Sequence, residues 1–109
     1  MKLSNMPFSI THWSEVEATH HAGLEGTAIW RTRHFDSLRI RRVEYTPGYV
    51  ADHWCSKGHL VLCLQGEFET ELQDGRRFKL TAGMSYQVAD DAGAHRSSTT
   101  TGAVLFIVD

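Results

Sequence analysis

The sequence predicts an all-β fold, namely an antiparallel sandwich or barrel of about eight short strands. From Thr27 onward, apolar and polar residues alternate with the period of two that is typical of strands. Turn signals that contain Gly, Pro or Asp recur at short intervals, and no helical pattern connects the strands. With 109 residues, the chain has the length of one domain with its own core.

The first part of the chain has little regular pattern. A weakly periodic stretch that begins at Ser14 soon reaches two glycines, which favours one helical turn at most. The stretches 27–35 and 38–45 then alternate as two strands. The second of them contains the basic run Arg39–Arg42, which we interpret as a solvated sheet face.

Four further segments are predicted downstream. Residues 46–48, Thr-Pro-Gly, form a turn. The stretch 59–64, HLVLCL, is apolar on both faces, which predicts a central strand that is covered on two sides. The last two strands are predicted at 84–88 and 103–108, and a loop at 89–102 separates them.

The clearest local signal is a hairpin between these regions. A two-residue Asp-Gly turn would set apolar side chains opposite charged ones, so we predict a three-residue loop, Gln73–Gly75, with Gly75 in the left-handed region. The predicted pairs are Phe68–Leu80, Thr70–Phe78, Glu71–Arg77 and Glu69–Lys79. The last two pairs join opposite charges, and each such pair stabilises a sheet by a few tenths to about 1 kcal/mol.

Composition restricts the class of protein. The chain has 11 Lys and Arg against 13 Asp and Glu, and it lacks the basic patch that a nucleic-acid partner needs. Its longest apolar runs are far shorter than the roughly 20 residues of a membrane helix, and its start shows no signal-peptide pattern. We therefore predict a cytoplasmic protein with no membrane partner, in which Cys55 and Cys63 stay reduced.

A short segment, residues 53–59, contains the candidate metal-binding residues. His53, Cys55 and His59 are metal-capable side chains within seven residues. On a strand, His53 and Cys55 would point to the same face, and a turn containing Gly58 would let His59 begin the next strand towards the same interior. Asp52 is adjacent to His53, but strand alternation would point its carboxylate away.

The spacing of Gly48, His53, Cys55, His59 and Gly66 resembles the first motif of the cupin family, which has two histidines, a glutamate and a final glycine. The first gap is one residue shorter than in the family pattern. His53 falls on the first histidine of that motif, Cys55 on the second, and His59 on the glutamate. The chain therefore departs from the family pattern at two of the three ligand positions.

The second cupin motif resembles the stretch from Gly83 to Thr99. Gly83 and His95 match that motif, whereas Ala89 replaces its proline and Thr99 its asparagine. The loop before His95 is also one residue longer than in the family. The whole resemblance covers about Tyr45 to Asp109.

The resemblance is closest to a small single-domain group named for an Asp-His-Cys-Trp motif, which is ordered here as residues 52–55, Asp-His-Trp-Cys. It implies a jelly-roll β-barrel (a double-stranded β-helix) over residues 27–109 and a homodimer. Residues 1–26 are then expected to be an N-terminal extended segment that packs on the barrel or on the dimer partner.

The resemblance also implies one divalent metal at the barrel mouth. The ligands carried over by position are His53, Cys55, His59 and His95. Three imidazoles with one thiolate favour Zn, while Fe, Ni, Mn and Cu stay possible. Two alternatives are a polar barrel mouth without metal and a Cys55 thiol that lies beside the metal. Cys63 is interpreted as an inert core cysteine.

The other histidines and aromatic residues are interpreted as structural. His12, His20, His21 and His34 are expected at the surface, since adjacent histidines point apart on a strand. Trp54 is expected to pack under the N-terminal segment or at a dimer contact. The remaining aromatic residues expected in the core or the pocket wall are Trp30, Tyr45, Tyr86 and Phe106.

Three functional classes follow from the resemblance. The first class is a metal-dependent enzyme that acts on a small molecule. The second is a binding or sensing module for a small ligand or metal, and the third is a small dimer that a structural metal stabilises. A catalytic metal needs an open coordination position, which four protein ligands would close on tetrahedral zinc. The sequence singles out no catalytic residue.

Overall fold

A computed structural model describes residues 2–109 of the chain. In this range one 3-10 turn, Trp13–Glu15, precedes eight strands, in agreement with the single turn expected there. The strands are β1 (Ala18–Ala22), β2 (Thr27–Phe35), β3 (Leu38–Tyr45), β4 (His59–Leu72), β5 (Arg77–Thr81), β6 (Ser85–Val88), β7 (His95–Ser98) and β8 (Ala103–Val108). Within the described residues, no helix has the length and apolar character needed to cross a membrane.

The strands form two antiparallel sheets that share β4. The first half of β4 lies in the larger sheet, ordered β1-β2-β3-β8-β4-β6, and its second half lies between β5 and β7. The register against β8 shifts between Cys63 and Gln65, and Gly66 follows with a φ of 71°. A side chain at Gly66 would meet the Gly102 carbonyl oxygen at 2.3 Å, so only glycine fits this crossing. The predicted all-β antiparallel architecture is confirmed.

The core lies between the inward faces of the two sheets. Its largest fully buried side chains are Phe68, Leu105, Val43, Val61 and Cys63. Burial of a large apolar side chain stabilises a fold by roughly 1.5–3 kcal/mol, so this cluster holds the sheets together. Burial also raises the pKa of the Cys63 thiol, which agrees with its interpretation as an inert core cysteine.

The predicted β4–β5 hairpin is confirmed residue by residue. The observed pairs include Phe68–Leu80, Glu69–Lys79, Thr70–Phe78 and Glu71–Arg77. Leu72 and Gly75 close the loop through a 3.0 Å backbone hydrogen bond, and Gly75 has a φ of 96°. Turn chemistry and charge pairing were sufficient here because they specify the same register.

The prediction that residues 59–64 are covered on two sides is wrong. Val61 and Cys63 face the core, whereas Leu60, Leu62 and Leu64 are 49%, 37% and 41% exposed. The outer face of β4 has no second layer over it in a single chain. An apolar pattern on both faces therefore marks an uncovered apolar surface as readily as a central strand.

Several strand boundaries also differ from the prediction. The predicted 59–64 strand and the first hairpin strand form one continuous strand, β4. The predicted 89–102 loop contains β7, and β1 lies in the N-terminal region for which no strand was predicted. Both β1 (ATHHA) and β7 (HRSS) lack an apolar alternation, so their strand state comes from pairing with neighbours.

The interpretation of Arg39–Arg42 as a solvated face is wrong as well. Arg41 is 5% exposed, and Arg39 and Arg41 point to the barrel interior together with Val43. The alternation was identified correctly, but its inner face carries the charges. These cations are tolerated inside because Asp109 accepts hydrogen bonds from both of them.

The N-terminal segment runs beside β2. Arg33 donates a 2.8 Å hydrogen bond to the Thr11 hydroxyl, and Arg31 donates to the Val16 carbonyl. Phe8 and Ile10 of this segment are 93% and 71% exposed. The division of the chain after residue 26 stays a prediction.

Candidate functional site

The structure brings three of the four predicted ligands together. The ligand atoms of Cys55, His59 and His95 all lie within 4.8 Å of one another. His59 begins β4 and His95 begins β7, so they arrive from different sheets. Cys55 is held against His95 by backbone hydrogen bonds of 2.8 and 3.0 Å in both directions. The group therefore rests on three separate segments of the barrel.

His53 lies outside this group. Its side chain is 77% exposed, and its Nδ1 lies 2.6 Å from Asp52 Oδ1. Strand alternation does not apply here because residues 51–58 form no strand apart from a single bridge at Cys55. Asp52 therefore turns towards His53, against expectation, and the hydrogen bond lowers the pKa of Asp52. The role of His53 as a ligand stays a prediction.

His59 and His95 face each other with their Nε2 atoms 2.7 Å apart. His95 Nδ1 donates to the Gly93 carbonyl at 2.8 Å, since a carbonyl can only accept. His59 Nδ1 likewise donates to the Asp109 carboxylate at 3.1 Å. In two neutral rings, both Nε2 atoms therefore present lone pairs to each other. This contact is favourable only with a cation between them, either a proton or a metal.

Asp109 is the functional residue that the sequence reasoning missed. Its side chain is 0% exposed and accepts hydrogen bonds from His59, Arg39 and Arg41. Burial alone would raise the pKa of Asp109, but the hydrogen bonds from His59 and Arg39 and the charge of Arg41 hold that pKa far below its usual range. The one sequence signal was a carboxylate directly after the apolar strand AVLFIV.

A cavity of about 240 Å³ lies beside the three metal-capable residues. Trp30, Tyr45 and Tyr86 contribute to its wall, as expected for aromatic residues of a pocket. Phe106 does not line it and instead meets Trp13 edge-on, at a ring distance of 5.9 Å. Trp54 packs under Arg96, whose guanidinium carbon lies 4.3 Å from the indole centre.

A larger groove of about 540 Å³ lies elsewhere on the barrel. It is an open surface groove in which most charged side chains form ion pairs, as in the 2.6 Å Arg77–Glu69 pair. The group of Cys55, His59 and His95 lines the smaller cavity instead. We therefore place the candidate site in the smaller cavity.

The remaining histidines agree only in part with their expected surface positions. His12, His20 and His34 are exposed. His21 is half-buried and stacks on Trp30 with a ring distance of 3.8 Å, and burial lowers its pKa. The difference arises because β1 joins the sheet and lays its His21 side chain over Trp30 of β2.

The donor set fits a divalent metal of borderline softness. One thiol and two imidazoles are ordinary zinc ligands, and the hydrogen bonds at both Nδ1 atoms fix the tautomers that leave Nε2 as the ligand atom. Three protein ligands leave a fourth position for a small molecule. Burial lowers the pKa of His95, against the opposing effect of its hydrogen bond to the Gly93 carbonyl, and this direction favours the neutral ring that a metal ligand needs.

No protein-family model matches the sequence, and no curated protein matches it. Solved structures do resemble the fold. An RmlC-like cupin from Shewanella frigidimarina NCIMB 400 is 23% identical, has a TM-score of 0.69, and covers 99% of this chain and 92% of its own. Ectoine synthase from P. lautus has a TM-score of 0.77 at 17% identity over 93% of this chain and 76% of its own.

FeII HppE has a TM-score of 0.74 at 14% identity, over 94% of this chain and 60% of its own. At identities below 25%, such likeness shows the fold alone. The two sheets sharing β4, together with these structures, confirm the predicted jelly roll. The chain therefore has the jelly-roll fold of the cupin superfamily.

Proposed function

We propose that this protein binds one divalent metal through Cys55, His59 and His95 and uses the adjacent cavity to hold a small molecule at that metal. The observation that carries the proposal is the 2.7 Å contact between two Nε2 atoms whose Nδ1 partners are both acceptors. A metal replaces the proton that this contact otherwise needs. Zinc is the favoured ion because the set combines a thiolate with imidazoles.

We propose that His53 binds the metal only after its ring turns from its present exposed position towards the other three residues. Its exposed ring lies at the mouth of the same cavity, and Asp52 engages its Nδ1. A turn of the ring towards the cluster would close the site with four protein ligands. With His53 turned away, the metal keeps an open position, which a metal-dependent enzyme requires.

The second candidate function is a non-catalytic binding or sensing module. The observation that favours it is the shortage of acid–base groups. The carboxylate next to the cluster, that of Asp109, is saturated by Arg39, Arg41 and His59 and is not able to act as a general base. The fold is shared by a synthase, ectoine synthase, and by HppE, whose structure contains FeII, and this likeness supports the metal-dependent enzyme instead.

Elemental analysis of untagged protein tests the metal proposal. We expect about one metal ion per chain in the wild type and in the control His34→Ala, whose ring is exposed and does not belong to the group of metal-capable residues. Cys55→Ala and His95→Ala are expected to lose it. Metal retained in His53→Ala would support the open three-ligand site. Unchanged metal content in both Cys55→Ala and His95→Ala would contradict the ligand set.

We also propose a cytoplasmic homodimer. Both cysteines are unpaired thiols, which supports a reducing compartment. The exposed leucines on the outer face of β4 form an apolar sheet face, and a second copy of the chain would cover this face together with Phe8 and Ile10. Sedimentation equilibrium should give a dimer for the wild type and a monomer for Leu62→Lys. The control Phe78→Lys, on the other sheet, should remain dimeric.

A further inference from the structure

Positive charge around the cavity exceeds negative charge. Four cationic side chains line it, namely Arg39, Arg41, Lys57 and Arg96. Arg96 is neutralised by Glu71 at 2.9 Å outside the cavity. Arg39 and Arg41 share a single carboxylate, that of Asp109. A metal bound by one thiolate and two neutral imidazoles would add a further positive charge.

Arg41 carries the strongest sign of a missing partner. It is 5% exposed, and one of its terminal nitrogens donates to Asp109 at 2.9 Å. Its Nε is buried and has no hydrogen-bond partner. The guanidinium lies 4.3 Å from the ring centre of Trp30, which holds its plane in place. A buried guanidinium N–H is unfavourable without an acceptor, so a ligand oxygen that accepts from Arg41 Nε would stabilise the site, and an anionic oxygen would do so most strongly.

The rest of the cavity sets the size and polarity of the ligand. Apolar side chains complete the wall, among them Val43, Val61, Leu105 and Ile107. The volume of about 240 Å³ is below that of typical drug-sized pockets. Transfer of a dianionic phosphate from water to such apolar walls would be strongly unfavourable. A carboxylate with an apolar body fits better, because its body can contact the walls and its two oxygens can accept from the planar guanidinium of an arginine.

We infer that the cavity binds a small carboxylate anion, with its oxygens towards Arg41 and the metal position and its apolar body against the aliphatic wall. This inference rests on the proposed function, because it names the ligand class of the same site. Arg41 acts as the residue that selects the anion, and Lys57 attracts it at the mouth.

Isothermal titration calorimetry of the zinc-loaded protein, in buffer without carboxylate or phosphate, tests the inference. The probes are isobutyrate, its neutral isostere isobutyramide, and inorganic phosphate. We expect isobutyrate to bind at least about 10-fold more tightly than the other two, as a charge-assisted hydrogen bond predicts. Arg41→Met should weaken isobutyrate by at least about 10-fold and leave isobutyramide unchanged. Arg42→Met, on the opposite face of β3, should change neither.

Lys57→Met provides a second variant at an exposed position and should weaken isobutyrate by about 2- to 5-fold. Equal binding of isobutyrate and isobutyramide, or no binding of either, would overturn the inference. Tighter binding of phosphate would overturn the carboxylate assignment. Zinc analysis of the same samples separates the two proposals. If zinc is retained but isobutyrate does not bind, the metal site is supported and the anion site is contradicted. If isobutyrate binds but zinc does not, the anion site is supported and the metal site is contradicted.

Discussion

Asp109 accepts a hydrogen bond from His59 Nδ1 at 3.1 Å, so the residue that follows β8 orients the residue that begins β4. The same carboxylate holds Arg39 and Arg41 inside the barrel. One buried group therefore fixes the tautomer of His59 and balances part of the internal positive charge. If His59 binds the proposed metal, stability and metal affinity are coupled through Asp109.

Asp109→Asn should weaken both properties. The amide keeps the shape but loses the charge that stabilises Arg41 in its buried position, so the free energy of unfolding should fall by about 3 kcal/mol. The loss of the charged acceptor for His59 should lower zinc affinity by about 10- to 100-fold. Urea unfolding and competition with a chelator measure these two quantities.

Asp52→Asn is the matched control, since it also removes a carboxylate that engages a histidine. That pair is exposed, so its contribution to the free energy of unfolding is small. Equal effects of the two substitutions would contradict the special role of Asp109.

The two cysteines should differ in reactivity. Cys55 is half-buried in the cavity wall, whereas Cys63 is 1% exposed and burial raises its pKa. A disulfide reagent should therefore label about one thiol per chain in native metal-free protein. Cys55→Ser should abolish this labelling and Cys63→Ala should leave it.

Zinc should slow the labelling of Cys55 by at least about 10-fold, because a coordinated thiolate is a weaker and less accessible nucleophile towards the reagent. Equal rates with and without zinc would show that Cys55 is a thiol beside the metal, the alternative left open by its position in the sequence.

The β4–β5 hairpin could be predicted to the residue because turn type, charge pairs and apolar alternation all specified one register. The continuity of β4 across both sheets could not, since the apolar run ends at Leu64 and Gln65-Gly66 separates it from the hairpin strand in sequence. Tertiary pairing, rather than local preference, also makes a strand of the polar segment at β7.

The same limit applies to the site. The grouping of Cys55, His59 and His95 could be anticipated from their match to the cupin motifs, but the position of His53 depended on whether residues 51–58 form a strand. Asp109 could not be predicted, since it lies 50 residues from His59 in sequence. Only the β4–β8 pairing, with Leu60 opposite Val108, brings these two residues together.

Gly66→Ala should destabilise the fold more than an ordinary glycine replacement. At this position φ is 71°, which a residue with a side chain rarely adopts. The added Cβ would also lie 2.3 Å from the Gly102 carbonyl oxygen, a backbone atom that cannot easily move away. We expect the free energy of unfolding to fall by at least about 2 kcal/mol.

The control is Gly75→Ala, where φ is also positive but nothing lies within 4 Å of the added Cβ. Backbone strain alone should then lower the free energy of unfolding by about 1 kcal/mol. Equal unfolding midpoints in urea would contradict the close approach.

High pH should destabilise the protein through its tyrosines. Burial raises the pKa of Tyr45 and Tyr86, and it raises that of Tyr49 to about 12. In the unfolded chain a tyrosine ionises near pH 10, so above that pH the unfolded state binds fewer protons than the folded state. The stability of the fold is therefore unaffected by these groups below about pH 10 and decreases as the pH rises towards their folded pKa values.

Each tyrosine should remove up to about 1.4 kcal/mol per pH unit in that window. Absorbance at about 295 nm, the phenolate band, should stay flat through the usual tyrosine range of about pH 10 and rise only where circular dichroism shows unfolding. Protein unfolded in urea, the control, should titrate with a midpoint near 10. A phenolate signal with that midpoint and an unchanged circular dichroism spectrum would contradict the raised pKa values of these three rings.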